Sequence, residues 1–246
     1  MTAIHEAAQV GASHQTLRDA VLNELRELII DGSFPAGMRL VERDLASQLG
    51  VSRVPLREAI FQLETEGLVE KLPRRGSVVG TLTTRDVADL FDVRESLEAL
   101  AAGLAALRAT PADLRSLRET LDQGLLIAQE SPDSGKVAWL NVEFHAEVVR
   151  MAHNSLLATV MEPLQGRLRW SFQLLMTEGA AIHSVMCHEH SAIYAAIAAG
   201  DRAAAEALAR DHVVKTREPT LALLRSLDRR EAAARERTSD RKGGVR

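Results

Sequence analysis

Four polar residues in the second half of this 246-residue chain have the types and spacing to hold a metal ion: Asn141, His145, His190 and His212. Asn141 and His145 stand four apart, so on a helix both side chains point the same way. His190 and His212 fall in two later segments of helical periodicity. Three imidazoles and one oxygen donor, supplied by three helices facing one core, suit Zn²⁺ or a similar divalent ion. His183 lies one heptad before His190, shares its face and is a rival ligand. His5, His14, His153 and His188 read as ordinary packed or exposed residues. Histidines on separate helices need not meet, and periodicity leaves that meeting open.

A second constellation lies near the N-terminus. Arg53 and Arg57 are four apart on one helical face, and no acid intervenes between Gly50 and Arg57. An arginine fork grips a guanine edge or a phosphate with two parallel hydrogen bonds. Arg43, Lys71, Arg74 and Arg75 are placed for contacts to a nucleic-acid backbone, and Gly76 would let main chain approach a minor groove.

Recurring apolar positions define the elements that must position these groups. A helix spans about 16–30, with Leu17, Val21, Leu25 and Leu28 on one stripe. Phe34-Pro35-Ala36-Gly37 is a turn, and a short helix over Glu42–Leu49 stops at Gly50. Ser52 is a good N-cap for a third helix, whose Pro55 falls in the tolerant first turn and whose end is Gly67. The runs 68–72 and 77–79, joined by Pro73-Arg74-Arg75-Gly76, read as a β-hairpin. Three helices followed by a hairpin is the order of a winged helix-turn-helix. From Thr84 everything is helical, with segments near 85–108, 111–130, 135–152, 155–178, 181–199 and 201–228. Breakers such as Thr110-Pro111, Ser131-Pro132-Asp133, Asn154 and Gly200-Asp201 separate them, and the short links predict an antiparallel bundle. Phe144 and Trp139 read as core, and Asn154 as an N-cap.

The expected fold is therefore mainly α: a winged helix-turn-helix over 16–80 and an antiparallel all-helical bundle over 84–228. A flexible start (1–15) and a disordered, charge-mixed tail (229–246) flank them. Composition agrees, with 46% hydrophobic residues but only 3% aromatic, so the cores are built from Leu, Ala, Val and Ile. A net charge of −4 excludes a protein that coats nucleic acid by bulk charge, and acids slightly outnumber bases even in residues 1–80. DNA binding must therefore rest on where the arginines sit. Cys187 is the sole cysteine, which fits a reducing cytoplasm. Neither a membrane span nor a signal peptide is visible.

Two stretches carry a family resemblance. Pro35-Ala36-Gly37-Met38-Arg39-Leu40-Val41-Glu42-Arg43-Asp44-Leu45-Ala46 and Leu49-Gly50-Val51-Ser52-Arg53-Val54-Pro55-Leu56-Arg57-Glu58-Ala59-Ile60 resemble the GntR family of bacterial transcription regulators. Leu63-Glu64 and Glu66-Gly67-Leu68-Val69 continue the likeness. It implies operator-DNA contacts at Arg43, Ser52, Arg53, Arg57 and Gly76, with Arg75 beside them on the wing. Val54 stands where a threonine is common, so a hydrogen bond there is lost. The helical half is similar to the FCD ligand-binding domain of the FadR subfamily. Its marks are Asp92-Val93-Arg94 with Glu98, Phe144-His145, Ala152-His153-Asn154, Glu189-His190, Gly200-Asp201 and His212. That likeness implies a divalent metal on Asn141, His145, His190 and His212, zinc first and nickel or manganese as alternatives. It also implies a small carboxylate effector held in part by Arg94. Asn141 occupies the place of an aspartate, and a neutral amide holds a cation less tightly than a carboxylate does. From the residues alone, Arg94 has a plainer role as the i,i+4 partner of Glu98.

The expected function is a ligand-responsive regulator, a repressor rather than an enzyme, that binds a pseudo-palindromic operator as a cytoplasmic homodimer. Two alternatives remain in view. One is a metal-dependent hydrolase carrying a DNA-binding module; against it, no His-Glu-x-x-His motif is present, and Glu143 and Glu189 turn about 100° from their neighbouring histidines. The other is a regulator whose metal only staples the bundle.

Overall fold

The computed structural model describes residues 17–130, 135–176 and 181–243, in two compact units, Met1–Thr81 and Leu82–Arg246. The expected flexible start, the Ser131-Pro132-Asp133 break and the side chain of His183 lie outside the described residues.

The first unit contains α1 (Leu17–Ile30), α2 (Glu42–Leu49), α3 (Arg53–Glu66), β1 (Val69–Leu72) and β2 (Gly76–Val79). α1 packs against α3, and Leu25 of α1 and Leu56, Ala59 and Leu63 of α3 have essentially no exposure. An ion pair between Arg26 and the buried Glu66 (2.7 Å) ties the same two helices. Gly50 takes φ 66°, the left-handed conformation that ends α2 and turns the chain into α3. The hairpin is antiparallel, with Val69 opposite Val79 and Leu72 opposite Gly76. Periodicity missed one addition: Arg39 bridges Val78, and Leu40 N–H donates to Ser77 O, so the segment after the 34–37 turn joins the wing.

The second unit is α4 (Thr84–Arg108), α5 (Pro111–Glu130), α6 (Gly135–Met151), α7 (Ser155–Met176), α8 (Ala181–Ala198) and α9 (Arg202–Gly243). Caps set the helix starts. Thr83 and Asp86 form a reciprocal capping box at α4, and Asn154 Oδ1 accepts from Leu157 N–H at α7. α4 packs along α9 and also against α6 and α8. Ala99, Ala101, Ala102, Ala105, Ala152 and Ala205 are wholly buried, small enough to bring these helices close. Phe144 lies in this core as expected, but Trp139 does not: it is 44% exposed, because its position on α6 faces away from the bundle. The tail also departs from expectation. α9 continues as helix to Gly243, past Asp228, in keeping with the alanines in its sequence.

Candidate functional site

The three histidines meet. His145 on α6, His190 on α8 and His212 on α9 bring ligand atoms within 4.8 Å of one another, with side chains at most 8% exposed. Asn141, one turn before His145, is buried too, and neither of its amide atoms has a partner. Nε2 of each histidine and one terminal nitrogen of Arg94, Nη1, are likewise unpaired. Among the described residues seven buried side-chain atoms lack a partner, and six belong to these five residues. The seventh is on Glu147, whose other oxygen accepts from Ser116 (2.8 Å). An unsatisfied buried polar atom costs about 1–3 kcal/mol. Such a cluster marks a place for a ligand rather than ordinary core.

Carboxylates set the direction of two rings. His145 Nδ1 lies 3.0 Å from Glu98 Oε2, and His212 Nδ1 lies 2.8 Å from Glu189 Oε2. An ionised carboxylate only accepts, so each Nδ1 carries the proton and each Nε2 presents a lone pair inward. His190 is held differently, stacked on Phe144 with ring centroids 4.0 Å apart. Burial, then the neighbouring His212, His145 and Arg94, push His190 well below the usual imidazole range. Burial also lowers His212, against the opposing hydrogen bond to Glu189. Neutral imidazoles with bare Nε2 atoms are the form that binds a metal. Donor chemistry and geometry therefore fit a divalent ion on His145, His190 and His212, with the buried, unpaired Asn141 amide one turn from His145 on α6.

Sequence reasoning missed the two carboxylates. Glu98 was legible as Arg94's helical neighbour and as a mark of the family likeness, with no role at the histidines; the structure has it bridge Arg94 (Nε 2.6 Å) and His145. The small value of an exposed pair does not apply, since Arg94 and Glu98 are 1% and 4% exposed. Burial opposes the charge of Glu98, but Arg94 and His145 overcome it and hold the carboxyl well below its ordinary range. Arg94 also sits over the Phe91 ring, 4.8 Å from its centroid. Glu189 does turn away from His190, as helical phase requires, and thereby reaches His212. Glu143 pairs with Arg150, and His153 pairs with Asp113 far out on the surface. Two cavities of about 10 Å³ border both Glu98 and His145, each with room for roughly one water.

The depressed histidines set a pH dependence for the metal-free protein. Unfolded, they titrate near 6.5. Folded, they resist protonation, so the stability is full above that pH and falls as the pH drops below it. The loss is up to about 1.4 kcal/mol per pH unit for each histidine. Urea midpoints in chelator should therefore fall between pH 7.5 and 5.5; an unchanged midpoint would contradict the burial.

In the other unit, Arg53, Val54 and Arg57 are exposed on α3, and Arg43, Arg74, Arg75 and Gly76 are exposed around it. Ser52 occupies the N-cap position, but its hydroxyl makes no capping bond. Arg57 is not unaccompanied: Glu42 of α2 takes it in an ion pair (2.8 Å), which lowers the Glu42 carboxyl. Arg43 pairs with Asp44 (2.9 Å). A groove of about 820 Å³ between α2, α3 and the wing is lined by Arg39, Arg43, Arg57, Lys71 and Gly76. Arg39 had no assigned role in the sequence; its bridge to Val78 places it there. Gly76 takes φ 76° and Arg74 φ 67°, so the wing tip turns through two left-handed residues.

A winged helix with arginines on its third helix, and a helical unit with a buried ligand-ready cluster, define a DNA-binding regulator with its own sensing domain. Residues 17–79 match the gntR family of bacterial regulatory proteins, and residues 89–215 match the FCD domain. The chain belongs to the GntR family of transcription regulators and carries an FCD effector-binding domain. It is 33% identical over 211 residues to an Escherichia coli protein described as a regulator of the L-lactate dehydrogenase operon, covering 75% of this chain and 79% of that one. It is 29% identical over 184 residues to the Bacillus subtilis HTH-type regulator YdhC, covering 75% and 82%. A GntR transcriptional regulator structure from Rhodococcus matches with a TM-score of 0.69 at 28% identity, over 83% of this chain and 97% of that one.

Proposed function

We propose that this regulator is a repressor that binds a pseudo-palindromic operator as a homodimer and is controlled by a small carboxylate at a divalent-metal site. The observation that carries the reading is the set of unpaired buried atoms on Arg94, Asn141, His145, His190 and His212. Asn141 and the three histidines would hold the ion, zinc above nickel or manganese given a nitrogen-rich donor set. A bound divalent ion supplies positive charge that attracts and orients a carboxylate. Arg94 Nη1, buried and unpaired, supports a carboxylate oxygen as the second partner. The relative described as regulator of an L-lactate dehydrogenase operon favours a short hydroxycarboxylate among the candidates.

Ser52, Arg53 and Arg57 would enter the major groove, while Arg43, Arg75 and Gly76 meet the backbone. Dimerisation is supported by exposed Val93, Leu100 and Leu107, which recur at heptad spacing along α4. Catalysis is disfavoured because Glu98 and Glu189, the carboxylates nearest the cluster, are engaged by Nδ1 atoms. No described helix is long and apolar enough to cross a membrane, and the reading places the protein in the cytoplasm.

The test is a footprint and gel shift on DNA upstream of its own gene, with sedimentation of the free protein. A protected inverted repeat, a two-protomer complex and release by a small carboxylate are expected. Salt-insensitive binding without sequence preference would sink the regulator reading.

A further inference from the structure

The donor atoms around the candidate ion share one property: none carries a negative charge. Three imidazole nitrogens and an amide oxygen are all neutral. The one carboxylate buried beside them is already matched. Glu98 is matched by Arg94, bound at 2.6 Å, while Glu189 shares Lys215, 3.7 Å away, with Asp211, and both of these partners are open to water. A divalent ion would therefore bring two positive charges, with no charged donor and no unmatched buried carboxylate, into a site whose first neighbours are at most 8% exposed. An unpaired buried charge is strongly unfavourable. Arg94 Nη1, buried with no acceptor, points to the same missing partner from the other side.

We propose that Asn141 makes metal occupancy conditional on an anion, so that the ion and an acidic ligand enter together and neither is held tightly alone. This rests on reading the cluster as a metal centre. An aspartate at 141 would supply one negative charge, keep the ion in place permanently, and leave the effector to act on a preformed site. The amide instead couples the two ligands. By linkage, the factor by which a carboxylate tightens the metal equals the factor by which the metal tightens the carboxylate. The sensor then reports the product of two concentrations rather than one.

Zinc affinity of the full-length protein, measured by competition with a chromophoric chelator, tests this. Wild type, Asn141→Asp and His212→Ala are compared in sodium perchlorate and in acetate, lactate or succinate at equal ionic strength. In perchlorate, Asn141→Asp should bind zinc about tenfold or more tighter than wild type. At least one carboxylate should tighten wild type by about tenfold, and tighten Asn141→Asp by a clearly smaller factor. Wild type binding zinc as tightly as Asn141→Asp in perchlorate, or indifference of wild type to all three carboxylates, would overturn the proposal. Should the aspartate variant fail to fold by circular dichroism, the carboxylate dependence of wild type decides alone. Failure of the underlying reading looks different: zinc binding to folded protein that His212→Ala leaves unchanged, or no zinc binding by wild type and Asn141→Asp alike.

Discussion

Arg94→Ala should destabilise the helical domain by about 3–5 kcal/mol, read as a lowered urea midpoint. The side chain is 1% exposed and its Nε binds Glu98, itself 4% exposed. Removing the guanidinium leaves a carboxylate in the core with only His145 as partner, and it also opens space beside Phe91. The effect comes from the stranded charge more than from the lost pair, and a second variant separates the two. Arg94→Met together with Glu98→Gln removes both charges while keeping volume, and should cost clearly less than the sum of the single changes. A pH series adds a sign. In the wild type the depressed Glu98 carboxyl contributes stability that is present above its unfolded titration and lost as pH falls through the acid range. Arg94→Ala removes a main cause of that depression, so the stability gap between wild type and variant should narrow as pH falls through the acid range. A loss below about 1 kcal/mol would mean that solvent reaches Glu98 when Arg94 is gone.

Helical phase made part of this site legible. Asn141 and His145 share a face by spacing alone, and each histidine falls in a segment with clear apolar periodicity. Which residues meet across helices is another matter, because it depends on how α4, α6, α8 and α9 pack. Glu98 illustrates the gap. Its i,i+4 relation to Arg94 is visible in the chain, while its contact with His145, 47 positions on, exists only after α4 and α6 are placed. Glu189 is the converse case, turned from its sequence neighbour and therefore free to hold a histidine on α9. Trp139 shows that a large aromatic in an amphipathic helix still needs its phase checked against the buried stripe. The helical run past Asp228 shows that losing apolar residues removes packing without removing helix propensity.

The DNA-reading unit was legible almost element by element, because capped helices and a hairpin are written in local residues. Its electrostatics were less so. No acid separates Gly50 from Arg57 along the chain, yet Glu42 from α2 holds the Arg57 guanidinium. Both groups are open to water, with side chains 67% and 36% exposed, so this pair is worth little and yields readily to a stronger partner. A bidentate contact to a base edge is worth about 1–3 kcal/mol. DNA should therefore take Arg57 from Glu42, with the acid limiting where the fork points in free protein. Arg53→Ala and Arg57→Ala should each weaken operator binding by about 5–150-fold, while Glu42→Gln changes it by less than about fivefold. Salt titrations of operator anisotropy distinguish the roles. A base-reading arginine relaxes preference at one operator position when removed; a backbone contact such as Lys71 lowers affinity for all sequences and reduces the salt slope by about one. Equal losses for Glu42→Gln and Arg57→Ala would instead make the ion pair itself the recognition element.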